Sequence, residues 1–139
     1  MKNEVLNKLE RLQKYIKMLN SYKKYSFQDI NEDFTLRGAI ERYLQLSLEC
    51  CIDIGEIIIS SMGLRKPETY KEVIEILGEE GILPEEFAER FAEAAKFRNV
   101  LVHMYAEIDV ELVHEILQNN LGDFDEFAKH IARYLEKKE

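Results

Sequence analysis

The sequence predicts an all-α protein, an antiparallel bundle of five to six helices. Three observations carry this. Apolar residues recur at spacings of three and four along most of the chain, the 2 prolines and 6 glycines read as punctuation between such runs, and β-rich character is missing throughout.

Val5, Leu9, Leu12, Ile16 and Leu19 predict a first amphipathic helix over about 3–25. Their coiled-coil-like period calls for a second long helix lying alongside. A second helix is expected over about 33–62, where the apolar content of "AIERYLQLSLECC" and "IDIGEIII" is broad enough to face two neighbours. Gly63 suits the left-handed cap that ends it. "KPETYKEVIEILGEEG" reads as a short third helix with Pro67 at its start and Gly78 or Gly81 near its end. Pro84 opens a fourth, with Glu85 and Glu86 in the first turn, where the helix dipole favours negative charge. Its Ala88, Ala92 and Ala95 form a small-residue face that invites close approach of another helix, a second copy of the chain included. Asp109 is a good N-cap for "VELVHEILQNN", and "FDEFAKHIARYLEKK" closes the sequence as a final helix.

A chain of 139 residues is long enough to bury a real core, and a single domain over 1–139 is expected. Hydrophobic residues at 46% and charged residues at 33% describe a soluble globular protein with a densely charged surface. No run reaches the roughly 18 apolar residues that signal a membrane span. The opening "MKNEVLNKLERLQKYIKML" interleaves charge with apolar residues, unlike a signal or transit peptide, so a cytoplasmic location is expected. The net charge of −8 argues against broad electrostatic binding to nucleic acid, DNA included. It leaves room for brief action on RNA at a local basic site, and for a partner that carries positive charge.

Cys50 and Cys51 are adjacent in a helical run, where neighbouring side chains diverge by about 100°. They read as buried, inert thiols. Without Cys or His partners at ligand spacing they make no metal site, and no cofactor is implied. His114 and His130, flanked by charged helical residues, read as surface positions.

The chemistry concentrates in "KFRNVLVHMY", where Arg98, His103 and Tyr105 share one short stretch. An imidazole moves protons near neutral pH. A guanidinium presents planar donors to a phosphate and stabilises added negative charge in a transition state. Together they suit metal-independent RNA cleavage with the ribose 2′-hydroxyl as internal nucleophile, a reaction that DNA cannot undergo. The spacing alone also fits a hydrogen-bonded core histidine and an arginine complementing a helix C-terminus. Five residues on a helix turn Arg98 and His103 about 140° apart, so they converge only where the helix loosens or where two copies meet across a two-fold axis. No glycine-rich phosphate loop, His-Glu-x-x-His or nucleophile elbow is present.

"RNVLVHMY" resembles the Arg-x4-His-x-Tyr signature of the HEPN superfamily, in which Asn after the arginine is frequent. The order of "LRGAIERYLQLSLECCIDIGEIII", "GLRKPETYKEVIEILGEEGILPEEF" and "FRNVLVHMYAEID" is similar to one branch, the HepT-like toxins paired with minimal nucleotidyltransferase (MNT) antitoxins. The resemblance covers nearly the whole chain. It implies a HEPN-type bundle, homodimeric, with its site in the cleft between protomers, and a metal-independent endoribonuclease of a toxin–antitoxin pair acting on tRNA or mRNA. It implies Arg98 and His103 as the catalytic pair, Tyr105 as the acceptor of AMP that silences the toxin, and Asn99 as a residue that helps hold the site. Glu49 and Asp53, acids within an apolar helical run, are candidate supporting groups. The alternative is a non-catalytic dimeric docking or substrate-binding subunit for a nucleotidyltransferase.

Overall fold

The computed structural model describes residues 1–103 and 108–138. Among them are seven α-helices and no strand: α1 (Lys2–Ser21), α2 (Phe27–Glu32), α3 (Phe34–Ser61), α4 (Tyr70–Glu79), α5 (Glu85–His103), α6 (Val110–Asn119) and α7 (Gly122–Lys137). None of the described helices is long and apolar enough to cross a membrane.

The α1 seam is as its periodicity requires. Val5, Leu12, Ile16 and Leu19 are buried, Leu9 packs at the margin, and the helix lies along α3. Tyr15 and Tyr22 close the far end of this contact on Tyr43, with ring centroids 6.0 and 6.3 Å apart. The expected first helix stops at Ser21 rather than near 25, because a separate helix begins at Phe27. Ser26 caps it: the Asp29 backbone N–H donates to the Ser26 hydroxyl and the Ser26 N–H donates to the Asp29 carboxylate. Ile30, fully buried, anchors this short helix to the core.

Asp33 accepts hydrogen bonds from the backbones of Thr35 and Leu36 to start α3, whose two buried flanks face α1 on one side and α4 with α5 on the other. Gly63, at φ 67°, closes it, with the Leu64 N–H reaching the Ile59 carbonyl. The same device ends α4, where Gly81 takes φ 74° and the Ile82 N–H bonds the Leu77 carbonyl. Gly81 is therefore the terminator. Gly78 lies within α4, and the helix starts at the Thr69 cap rather than at Pro67. Pro84 sits at the start of α5 as expected, its carbonyl accepting from the Ala88 N–H.

Gly55 and Gly78 lie inside helices because a neighbour occupies the space a side chain needs. A Cβ on Gly55 runs into Val73 and Leu77 of α4, and one on Gly78 comes within 2.6 Å of the Ala88 Cβ on α5. These contacts draw α4 down onto both α3 and α5. They also correct one expectation. Ala88, Ala92 and Ala95 are buried within the chain, so the small-residue face of α5 is used internally and is not offered to a second copy. A stack of Phe87, Phe91 and Phe127, with Phe124 set edge-on to Phe91, joins α5 to α7.

Cys50 and Cys51 are buried and unbridged, in line with the sequence. The two remaining histidines are less exposed than their charged neighbours imply. The His130 side chain, 15% exposed, leans on the Phe87 ring and pairs with Glu126, and His114 meets the edge of Phe27. Both stand at the borders of amphipathic helices, where a ring covers apolar surface while its nitrogens stay near water.

Candidate active site

Arg98, Asn99 and His103 are carried by the last turns of α5. Phe97 and Leu101 are buried on the same stretch and fix the helix rotation, leaving the Arg98 side chain at the border of the core. It points into the corner formed by α3 and α4. There its Nη2 lies 3.6 Å from Glu49 Oε2, its Nη1 donates to Asn99 Oδ1 at 3.3 Å, and its Cζ stands 5.0 Å from the centre of the Tyr70 ring. The side chain is only 20% exposed, and its Nε is fully buried with no hydrogen-bond partner among the described residues. Gln45, one turn earlier on α3, donates to Glu49 Oε1 at 3.1 Å and fixes the carboxylate that faces the arginine.

The two acids proposed from sequence thus have different surroundings. Glu49 reaches Arg98. Asp53, one turn further along α3, is engaged by Lys8 of α1 at 3.3 Å. His103, at the end of α5, is exposed, and the contacts of Arg98 among the described residues run to Glu49, Asn99 and Tyr70 rather than to it. Tyr105 lies outside the described residues. Tyr70 was missed by sequence reasoning: one aromatic at a helix start carries no local signal, and only the packing of α4 against α5 puts it under the arginine.

Beside the motif, an apolar hollow of about 370 Å³ opens between α5 and α6, lined among others by Ala94, Phe97, Val100, Leu112 and Ile116. Leu112 is 43% exposed at its rim. Among the described residues no group of three or more His, Cys, Asp or Glu side chains is placed to share a metal ion.

The helical fold agrees with comparison to known proteins. The family model described as ribonuclease HepT-like matches residues 9–131. This chain belongs to the HepT-like ribonuclease family. It is 26% identical over 127 residues to the mRNA nuclease HepT of Shewanella oneidensis, covering 91% of this chain and 95% of that protein. It is 31% identical over 128 residues to the tRNA nuclease HepT of Aphanizomenon flos-aquae, covering 92% and 87% respectively. A solved structure of tri-AMPylated Shewanella oneidensis HEPN toxin in complex with MNT antitoxin matches the fold with a TM-score of 0.86 at 25% identity, over 96% of this chain and 99% of that one. The HEPN-type helical bundle expected from the resemblance is the fold of this HepT-like chain.

Proposed function

We propose that this HepT-like protein is the endoribonuclease toxin of a toxin–antitoxin pair, that it cleaves RNA without a metal ion, and that a nucleotidyltransferase partner silences it by adding AMP to Tyr105. The observation that carries the reading is the setting of Arg98: a charged side chain four-fifths buried and braced by Glu49, Asn99 and Tyr70. The resemblance of "RNVLVHMY" to the HEPN signature makes it the counterpart of the motif arginine. A helix that only had to pack gains little from burying a guanidinium whose Nε finds no partner among the described residues.

In the proposed reaction His103 takes the proton of the ribose 2′-hydroxyl, the 2′-oxygen attacks the adjacent phosphorus, and the 5′-oxygen leaves as it is protonated. The products are a 2′,3′-cyclic phosphate and a 5′-hydroxyl end. The exposure of His103 suits this role, since a general base must reach substrate. Arg98 neutralises the charge that accumulates on the non-bridging oxygens. Because Arg98 turns into its own α3–α4 corner while His103 stands exposed at the helix end, a homodimer with the site in its cleft, each protomer supplying groups to it, remains our reading. Its support is the angular separation of the pair and the apolar hollow beside it, not the alanine face of α5. A single domain over 1–139 and a cytoplasmic setting complete the proposal. Asp53, paired with Lys8, is assigned a supporting role at the edge of the site.

The decisive experiment is RNA digestion by purified protein in EDTA, comparing wild type with His103→Ala. Cleavage by wild type, ending in cyclic phosphate and absent from the variant, supports the reading. An inert wild type that still accepts AMP from its partner replaces it with the docking-subunit alternative.

A further inference from the structure

We propose that Tyr70 is a positioning residue for Arg98, its ring forming the floor on which the reactive guanidinium lies. The proposal rests on the ribonuclease reading above and names the residue that orients its arginine. Three observations lead to it. The Arg98 Cζ lies 5.0 Å from the Tyr70 ring centre, within the range of a cation–π contact. The Arg98 Nε is buried and has no hydrogen-bond acceptor among the described residues; a ring face beneath the group is the electron-rich surface available to it. The Glu49 carboxylate, at 3.6 Å, is beyond hydrogen-bonding distance, so charge attraction alone does not fix the plane of the group.

Tyr70 is well suited to be a fixed floor. It is the first residue of α4, immediately after the Thr69 cap whose hydroxyl accepts from the Glu72 N–H at 3.0 Å. Val73, one turn on, is locked against Gly55 of α3, and Leu77 follows it there. The ring therefore stands on a helix end that is capped on one side and seated on the other. With the ring below, Glu49 and Asn99 at the edges, the guanidinium presents its remaining Nη hydrogens in a set direction, as in-line attack on a phosphate requires.

What the floor needs is an aromatic face, not a hydroxyl. Tyr70→Phe should cleave RNA within about twofold of wild type, whereas Tyr70→Leu, apolar but without a π face, should lose tenfold or more in kcat. In an Arg98→Lys background, Tyr70→Leu should add almost nothing, since the group it orients is gone; a purely structural residue would add its full effect to both backgrounds. The guanidinium itself can be followed without any activity. In wild-type protein the Arg98 Nε–H should give a resolved, slowly exchanging NMR signal moved upfield by the ring below it. That signal should persist in Tyr70→Phe and move back in Tyr70→Leu. A wild-type signal with no upfield shift overturns the proposal, as does loss of activity in Tyr70→Phe equal to that in Tyr70→Leu, or an additive effect in the Arg98→Lys background. Should wild type cleave no RNA, the ribonuclease reading fails, and the shifted signal alone decides whether Tyr70 positions Arg98.

Discussion

The Arg98 guanidinium and the Glu49 carboxylate face each other at 3.6 Å across the meeting of α5 and α3, and the carboxylate is held from behind by Gln45. The pair attracts without a direct hydrogen bond, so a phosphate can take up the arginine without first breaking one. Glu49→Gln removes the charge and keeps the shape. It should slow RNA cleavage about tenfold by loosening the orientation of Arg98. Both side chains retain a fifth to a quarter of their exposure, so stability should change by less than about 1 kcal/mol. Single-turnover rates beside urea melts check both statements, and an unchanged rate would remove Glu49 from the site.

His103 is exposed, and its removal should leave the helical circular dichroism and melting temperature of wild type. Cleavage should fall by about 10²- to 10⁴-fold, the usual loss of a general acid–base group. Arg98→Ala should lose activity comparably but also cost about 1 kcal/mol of stability, because its stem and planar head pack on Tyr70. An unfolded His103→Ala would return the residue to a packing role.

Alanine in place of glycine within a helix ordinarily stabilises by about 1 kcal/mol. At Gly55 and Gly78 the sign should reverse. The new methyl at Gly55 meets Val73 and Leu77, and at Gly78 it meets the Ala88 Cβ at 2.6 Å. Each variant should lose about 1–3 kcal/mol in urea unfolding, the cost of overpacking a closed interface.

Burial pushes the Cys51 thiol well above its ordinary value of 9.0, with Cys50 beside it adding to the effect. Burial also raises Cys50, opposed by the positive charge of Lys8. Both thiols should resist alkylation in the folded protein at pH 8 and react fully in urea. The unfolded thiols ionise near pH 9 while the folded ones hold their protons, so stability should fall as pH rises past 9. Cys51→Ala should flatten that slope in denaturant titrations at pH 8 to 10.

Incubated with a nucleotidyltransferase partner and ATP, wild type should gain the mass of AMP and lose activity, with pyrophosphate released. The added phosphate competes for the guanidinium and repels incoming RNA. Tyr105→Phe should gain nothing. Equal AMP mass on both proteins in intact mass spectrometry would place the acceptor elsewhere.

Much of this fold was legible because the long helices advertise themselves. The α1 seam, the Asp109 and Gly63 boundaries, and the burial of the cysteines all follow from local patterns. The α2 helix did not, because six residues are too few for a period and its signal is a single capping box, Ser26 to Asp29. Glu49 and Asp53 were indistinguishable in sequence, both acids on one stripe of α3. Lys8 and Arg98 separate them, and those partners come from 45 residues away in one case and 49 in the other. Tyr70 was invisible for the same reason.

The seat of Arg98 is drawn from three helices that leave the ribosome in the order α3, α4, α5. Glu49 and Tyr70 therefore exist before the arginine they receive, yet the guanidinium gains its direction only when α5 folds back onto both. A nascent chain exposes the whole motif before it possesses a site. For a protein proposed to cut RNA inside its own cell, no site exists until the bundle has closed and, on the proposed reading, two copies have met, so any partner has until that moment to arrive.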